Sequence, residues 1–450
     1  MSELPRSTPA EQGVDASGID AFLAALAPMP EVELHSLMVL RHGHVVAERW
    51  WRPYRPDTPH LLYSLSKSFT ATALGFAVAE GLVDLDATAL SYFPEFDARV
   101  TDPRSRSTLV RHLAAMASGH ADERIDEALR AGAGDMTLGL FLLPPEHEPG
   151  SFFAYNQPCT NALSAIITRV SGEPLSGYLR PRLFEPLGIH RYGWWTDPVG
   201  REQGFSGLHL PTEAIAKLGQ VFLDGGAWQG GQLLPAGWVA EATRSHVATH
   251  RENPDWNQGY GFQFWRSRHG YRGDGAYGQF MVILPEADAV VAITSQSPDM
   301  QGVLDQMWTH LLPVLTAGSG AAGPWPDESP ELAPPVGDGS TGEITDATYR
   351  PGPGNAVETL HTVRVRPGQL VVDDGRELVA TLADPDGWTV DGPVATAYAW
   401  SRGRLLVDIV FTENPHRLHL DLDPATGTFT ACWQAPPLGP IPLASLRLRG

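Results

Sequence analysis

Ser64 and Lys67 stand three residues apart in Tyr63-Ser-Leu-Ser-Lys-Ser-Phe-Thr. At the first turn of a helix such a pair shares one face, which puts the hydroxyl within reach of the amine. That is a nucleophile with an adjacent base. A serine hydroxyl is a weak nucleophile, and a lysine takes its proton only when the amine is neutral. Burial lowers a lysine pKa by up to ~3–5 units, and the positive end of a helix dipole pushes the same way. Residue usage points to this role, since Lys67 and Lys217 are the only lysines among 32 basic residues. A guanidinium cannot give up its proton at useful pH, so a chain that otherwise uses arginine has a chemical reason to keep lysine here. Ser64-x-x-Lys67 is the only Ser-x-x-Lys in the chain, and the competing Gly-x-Ser-x-Gly elbow does not occur.

Positioning the pair falls to the stretch His60–Gly81, which is apolar nearly all round, has only Lys67 and Glu80 as charges, and stops at Gly81. Such a helix is buried. Upstream, Leu34-His-Ser-Leu-Met-Val-Leu and His44-Val-Val-Ala-Glu-Arg-Trp-Trp flank Arg41-His-Gly and read as two strands with a tight turn. Strands are expected again only at 260–265, 278–285 and 289–294, while 60–250 carries helical periodicity. The expected fold is α/β (α+β): one antiparallel sheet built from both ends of the domain, an inserted helical block, and a crevice between them. Between Thr316 and Gly342, 18 of 27 residues are Gly, Pro, Ala or Ser, the composition of a linker. Residues 343–450 then alternate, as in His361-Thr-Val-Arg-Val-Arg, with turn signals such as Asp374-Gly375, Asp386-Gly387 and Arg402-Gly403. The expected domains are therefore 1–315, a linker at 316–342, and a small all-β domain at 343–450.

Over residues 8–315 the chain resembles the class C β-lactamases and penicillin-recognising serine hydrolases, a family with DD-peptidase, esterase and amidase branches. The resemblance is carried by Tyr63-Ser-Leu-Ser-Lys-Ser-Phe-Thr, Glu80-Gly-Leu-Val-Asp-Leu-Asp and His112-Leu-Ala-Ala-Met-Ala-Ser-Gly-His. Phe153-Ala-Tyr-Asn-Gln ahead of Leu163-Ser-Ala-Ile-Ile, and Gly275-Ala-Tyr-Gly-Gln, complete it. It implies a β-lactamase-like fold and makes Tyr155 the tyrosine of a Tyr-x-Asn motif. Its phenol would relay protons, losing its own more easily beside the Lys67 ammonium than the free pKa of ~10 suggests. Gln157 stands where the motif has Asn, its carboxamide one methylene further out. In the third motif Gly273 replaces a cationic or aromatic residue, Asp274 takes the middle position and Gly275 is retained. Arg272, one residue away, is the candidate replacement for the missing cation that would hold a substrate carboxylate. The resemblance further implies an oxyanion hole from the backbone N–H groups of Ser64 and Ala276.

The formal net charge of −20, without a basic cluster, argues against nucleic acid as a partner. Cys159 and Cys432 are too few for a disulfide framework. His246-x-x-x-His250 has helical metal spacing but no accompanying carboxylate or third ligand, so no metal and no cofactor are expected. No run of 18 uncharged apolar residues and no secretory leader pattern occur, which gives the expectation of a cytoplasmic protein without a membrane partner. The expected activity is a cofactor-free serine hydrolase of small esters or amides. Its rivals are acyl transfer to an alcohol or amine, hydrolysis of D-peptides or β-lactams with Arg272 as anchor, and a binding protein that keeps Ser64 and Lys67 as remnants.

Overall fold

The computed structural model describes residues 3–318, 329–383 and 387–448. The chain divides into two compact units. The first comprises residues 1–33, 37–48 and 62–326, and the second 34–36, 49–61 and 327–450.

Strands β1 (Glu33–Arg41) and β2 (His44–Trp50) are joined through His42 and Gly43, at φ 51° and 73°. Positive φ at both positions is the two-residue hairpin turn whose twist matches the flanking strands, and glycine adopts it without a Cβ penalty. The chain returns to this sheet with β3 (Trp265–Arg266), β4 (Tyr271–Gly275), β5 (Gln279–Leu284) and β6 (Ala289–Gln296), in the order β2-β1-β6-β5-β4-β3. Pairing of β6 with β5, β5 with β4 and β4 with β3 is antiparallel. Between the two sets lie helices α1 (Ser66–Ala79), α2 (Gln157–Ser171) and α3 (Thr212–Leu223). The β-lactamase-like architecture, a sheet from both ends with a helical insert, is the observed one.

The segment 260–265 departs from expectation. Only Trp265 belongs to a strand, and residues 261–264 form a tight turn in which Gly261 N–H donates to the Phe264 carbonyl at 2.8 Å and Gln263 sits at φ 62°. The buried Gln263 amide donates to the Ala114 carbonyl at 2.7 Å and its oxygen accepts from Thr160 at 2.6 Å. These tertiary bonds hold the turn against the β-propensity of its aromatics. Helix α1 also starts later than the sequence suggests: His60–Leu61 pair as a short strand and Tyr63–Leu65 form a 3₁₀ turn.

Among the described residues the second unit is built on nine strands: β7 (Ala347–Pro351), β8 (Thr362–Arg366), β9 (Gly368–Asp373), β10 (Glu377–Leu382), β11 (Thr389–Asp391), β12 (Val394–Ser401), β13 (Arg404–Phe411), β14 (Arg417–Asp423) and β15 (Thr428–Trp433). Their order is β10-β9-β8-β7-β15-β14-β13-β12-β11, with β7 and β15 parallel. The two ends approach one another, since Thr381 Oγ1 donates to Asp391 Oδ2 at 2.8 Å, and the sheet curls into a near-barrel. Alternate residues such as Val407, Ile409, Leu418, Leu420 and Phe429 fill its interior. Of the stretch 316–342, residues 319–328 lie outside the described residues, as does Asp386 of the Asp386-Gly387 turn signal. Residues 330–333 run beside the 49–61 segment of the same unit: Arg52 N–H donates to the Pro330 carbonyl and Leu332 N–H to the Arg52 carbonyl, each at 2.8 Å.

Candidate active site

The turn that presents Ser64 is held from within. Ser66 Oγ donates to the Tyr63 carbonyl at 2.6 Å and accepts the Leu208 N–H at 3.1 Å, while Leu65 N–H donates to the Leu62 carbonyl at 3.1 Å. Tyr63 lies at φ 47°, a left-handed conformation that is costly for a bulky residue and persists only where its surroundings enforce it. The strain falls immediately before the serine.

Ser64 Oγ and Lys67 Nζ are 2.9 Å apart, and Nζ donates to the Phe205 carbonyl at 2.8 Å. Lys67 is 1% exposed and its Nζ lies 4.8 Å from the centre of the Tyr155 ring. Burial pulls the ammonium down from 10.5 to about 7, against the smaller opposing pull of Glu123 and Asp274. An amine poised near neutrality can hold a lone pair toward the serine hydroxyl while donating to Phe205. Tyr155 shares a hydrogen bond with Ser64, but its pKa moves opposite to expectation. Burial, reinforced by Asp274, pushes the phenol well above its ordinary value, and the Ser64 bond offsets this only in part. Burial is the main reason, with Asp274 and Glu123 adding to it against Arg251, so Tyr155 rests as a neutral phenol. Its ring stacks on Trp265, with centres 5.3 Å apart, and meets Tyr260 edge-on at 6.2 Å.

Opposite this turn runs β4. A Cβ on Gly275 would lie 2.0 Å from the Leu62 carbonyl oxygen, and one on Gly273 would lie 2.3 Å from Ser68 Oγ and 2.6 Å from Leu65 Cδ1. Only glycine permits this approach of strand to turn, and it brings the chain at Ala276 up to the chain at Ser64. Gly273 therefore faces α1 rather than open space. Beyond Ala276, Tyr277 lies at φ 64° and meets Tyr63 edge-on, with ring centres 5.7 Å apart. One neighbour of each expected oxyanion donor, Tyr63 before Ser64 and Tyr277 after Ala276, is thus a tyrosine in the left-handed region.

Asp274 and Arg272, two apart on β4, share a strand face. Arg272 is fully buried: Nε donates to Asp274 Oδ2 at 3.0 Å, Nη1 to the Asp255 carbonyl at 2.7 Å and to Ser267 Oγ at 2.8 Å, and the guanidinium lies 4.3 Å from the Trp256 ring. Those partners hold it inside the fold, with none of the guanidinium exposed. Burial pushes the Asp274 carboxyl up, and the Arg272 guanidinium, Lys67 and a bond from Trp265 pull it back. Asp274 is a β4 charge felt by both Lys67 and Tyr155.

Gln157 opens α2 and bonds Glu123 through both its backbone and its side chain. Its carboxamide oxygen is buried without a hydrogen-bond partner among the described residues. Asn156 faces another way, its Oδ1 accepting the Arg124 N–H at 2.9 Å and so holding the loop that carries Glu123. Glu123 carried no signal by spacing. It follows the Met116-Ala-Ser-Gly-His landmark by three residues, and only the fold returns it to Lys67. Phe205 contributes a backbone atom, which no residue pattern reveals. His246, of the His246-x-x-x-His250 pair, stacks on Phe262 at 3.7 Å and bonds the Glu241 carbonyl at 2.9 Å. No group of three or more metal-ligating side chains occurs among the described residues, and none of their helices is long and apolar enough to cross a membrane.

Comparison with known proteins places the chain in a family. The 6-aminohexanoate-dimer hydrolase of Paenarthrobacter ureafaciens is 27% identical over 323 residues, 66% of this chain and 82% of that protein. Esterase EstB of Burkholderia gladioli is 28% identical over 185 residues, 35% of this chain and 46% of its own length. Among solved structures, EstCE1, described as a hydrolase with promiscuous acyltransferase activity, superposes with a TM-score of 0.54 at 19% identity, over 65% of this chain and 99% of that one. The family model described as Beta-lactamase matches residues 26–315, the span that contains the serine, the buried lysine and the strand facing them, and on that match the chain belongs to the beta-lactamase family.

Proposed function

We propose that this hydrolase cleaves small esters or linear amides through an acyl-enzyme on Ser64. The observation that carries the reading is the 2.9 Å approach of a buried, half-neutral Lys67 amine to the Ser64 hydroxyl. Lys67 takes the Ser64 proton as Oγ adds to the carbonyl. The N–H groups of Ser64 and Ala276 receive the oxyanion, each worth about 3 kcal/mol in the transition state. Tyr155, protonated at rest, gives its proton to the leaving alkoxide or amine and is reprotonated from the Lys67 ammonium. Water then repeats the sequence on the acyl-enzyme.

Substrate preference follows from Arg272. The guanidinium is fully buried, with Nε and Nη1 held by Asp274, the Asp255 carbonyl and Ser267 and Nη2 enclosed without a partner among the described residues, so carboxylate-bearing β-lactams and muropeptides lack an accessible β4 anchor and are poor substrates. Relatives named as a 6-aminohexanoate-dimer hydrolase and as an esterase accord with this choice. Acyl transfer is a second reading, favoured by the aromatic wall of Tyr155, Trp265, Tyr260 and Phe153, which makes poor company for water. Adding alcohol or amine acceptors during turnover separates the two by product analysis.

A fluorophosphonate probe followed by peptide mass mapping tests the nucleophile. Labelling at Ser64 is expected, and an unlabelled Ser64 in folded protein overturns the reading. Ser64→Ala and Lys67→Ala should each lower turnover at least ~10³-fold. Hydrolysis of a chromogenic cephalosporin as fast as of simple aryl esters would contradict the substrate preference.

A further inference from the structure

On the outer face of the near-barrel, three chemically distinct side chains stand in a row across three adjacent strands. Asp408 of β13 is directly opposite His419 of β14, and His419 is directly opposite Cys432 of β15. Directly opposed residues of antiparallel strands project to the same face with Cβ atoms ~4.5–5.5 Å apart. The face is the outer one, because the alternating neighbours Val407, Leu418, Leu420 and Ala431 fill the barrel interior.

The row is ordered electrostatically. Asp408 is buried; its Oδ2 accepts from Arg417 Nε at 3.0 Å and its Oδ1 lies 2.6 Å from His419 Nδ1. A carboxylate on Nδ1 fixes the proton there, so the neutral ring keeps its lone pair on Nε2. Cys432 is exposed, whereas Cys159 is buried. All three residues line a groove of about 470 Å³, together with the segment Ala333–Val336, Arg417, Asp421 and Thr430. That volume is within the range of small-molecule sites.

We propose that Cys432, His419 and Asp408 form a thiol-modification site for low-molecular-weight disulfides on the C-terminal unit, separate in chemistry from Ser64. His419 Nε2 removes the Cys432 proton as sulfur attacks one sulfur of the disulfide. The S–S bond breaks, a mixed disulfide forms on Cys432, and the leaving thiolate takes the proton from His419. Cys432 is oxidised and the departing half of the reagent is reduced, so the exchange needs no further oxidant. Burial and Asp408 raise the Cys432 thiol above its ordinary value, so the sulfur depends on a base near neutral pH.

The test uses the full chain with dithiodipyridine, whose released thiopyridone is followed by absorbance, and with oxidised glutathione, whose adduct is mapped by mass. One fast equivalent on Cys432 is expected, abolished in Cys432→Ser, with a wild-type rate at pH 7 at least ~10-fold above that of free cysteine. His419→Gln should slow the reaction at pH 7 at least ~10-fold. Equal rates in wild type and His419→Gln, an adduct on Cys159 in place of Cys432, or a wild-type rate no faster than that of free cysteine overturns the proposal. The comparison with free cysteine decides even if the variant does not fold.

Discussion

The decisive residue is Lys67, whose amine is useful only when uncharged. With its pKa drawn down to about 7 by burial, the neutral form predominates above pH 7 and disappears below it. Turnover at low substrate concentration should therefore fall about tenfold per pH unit below 7, and a flat profile from pH 5 to 8 would deny Lys67 the role of base. Asp274 is one of two groups that hold this pKa up, so Asp274→Asn should move the acid limb to lower pH. The same change leaves Arg272 as a fully buried cation without its carboxylate, which costs about 3–5 kcal/mol. A pH–rate profile and a urea midpoint measured on one preparation read both effects. An unmoved limb would show that the two groups do not communicate. The chemistry of Ser64 and Lys67 is legible in sequence because their spacing is local and their types are rare in context. Glu123, Arg272 and Phe205 are not legible in this way: their roles depend on which long-range neighbours desolvate or bond them.

At the level of elements, the site is a strand pressed against a turn. Gly275→Ala puts a methyl carbon 2.0 Å from the Leu62 carbonyl oxygen, a backbone atom that cannot swing aside, so β4 must retreat from Ser64. A displacement of that order costs on the order of 10²-fold in rate, and the expected signature is a fall in kcat with the circular dichroism spectrum retained. Unchanged turnover would mean that the approach of β4 does not build the oxyanion site. The helix α1 and the hairpin β1–β2 are readable from the chain because each follows a local rule: continuous apolarity ended by Gly81, and two short strands around His42-Gly43. The run Tyr260–Trp265 obeys the strand rule and yet turns, because Gln263 bonds Ala114 and Thr160, residues about a hundred or more positions away. Local pattern cannot report a bond of that range.

For the molecule as a whole, chain order and spatial order differ. Residues 49–61 precede the nucleophile by a few positions, yet they fold as part of the C-terminal unit, where Tyr54 packs in a cluster with Leu332, Ala395 and Val410. The Tyr54 hydroxyl donates to the Asn414 carbonyl at 2.9 Å, and Trp51 packs against the same cluster. Composition marks 316–342 as a place to cut, and a chain ending at Thr316 would contain every proposed catalytic residue. It would also strip residues 49–61 of their packing partners, each buried large apolar side chain being worth about 1.5–3 kcal/mol. The truncated chain is therefore expected to melt well below the full-length protein, and to aggregate, despite an intact Ser64, Lys67 and Tyr155. Co-expressing residues 327–450 as a separate polypeptide should restore part of the lost stability, since it resupplies Leu332, Ala395 and Val410 to the same segment. A truncated protein with the full-length melting temperature and turnover would show instead that residues 49–61 need nothing from the C-terminal strands.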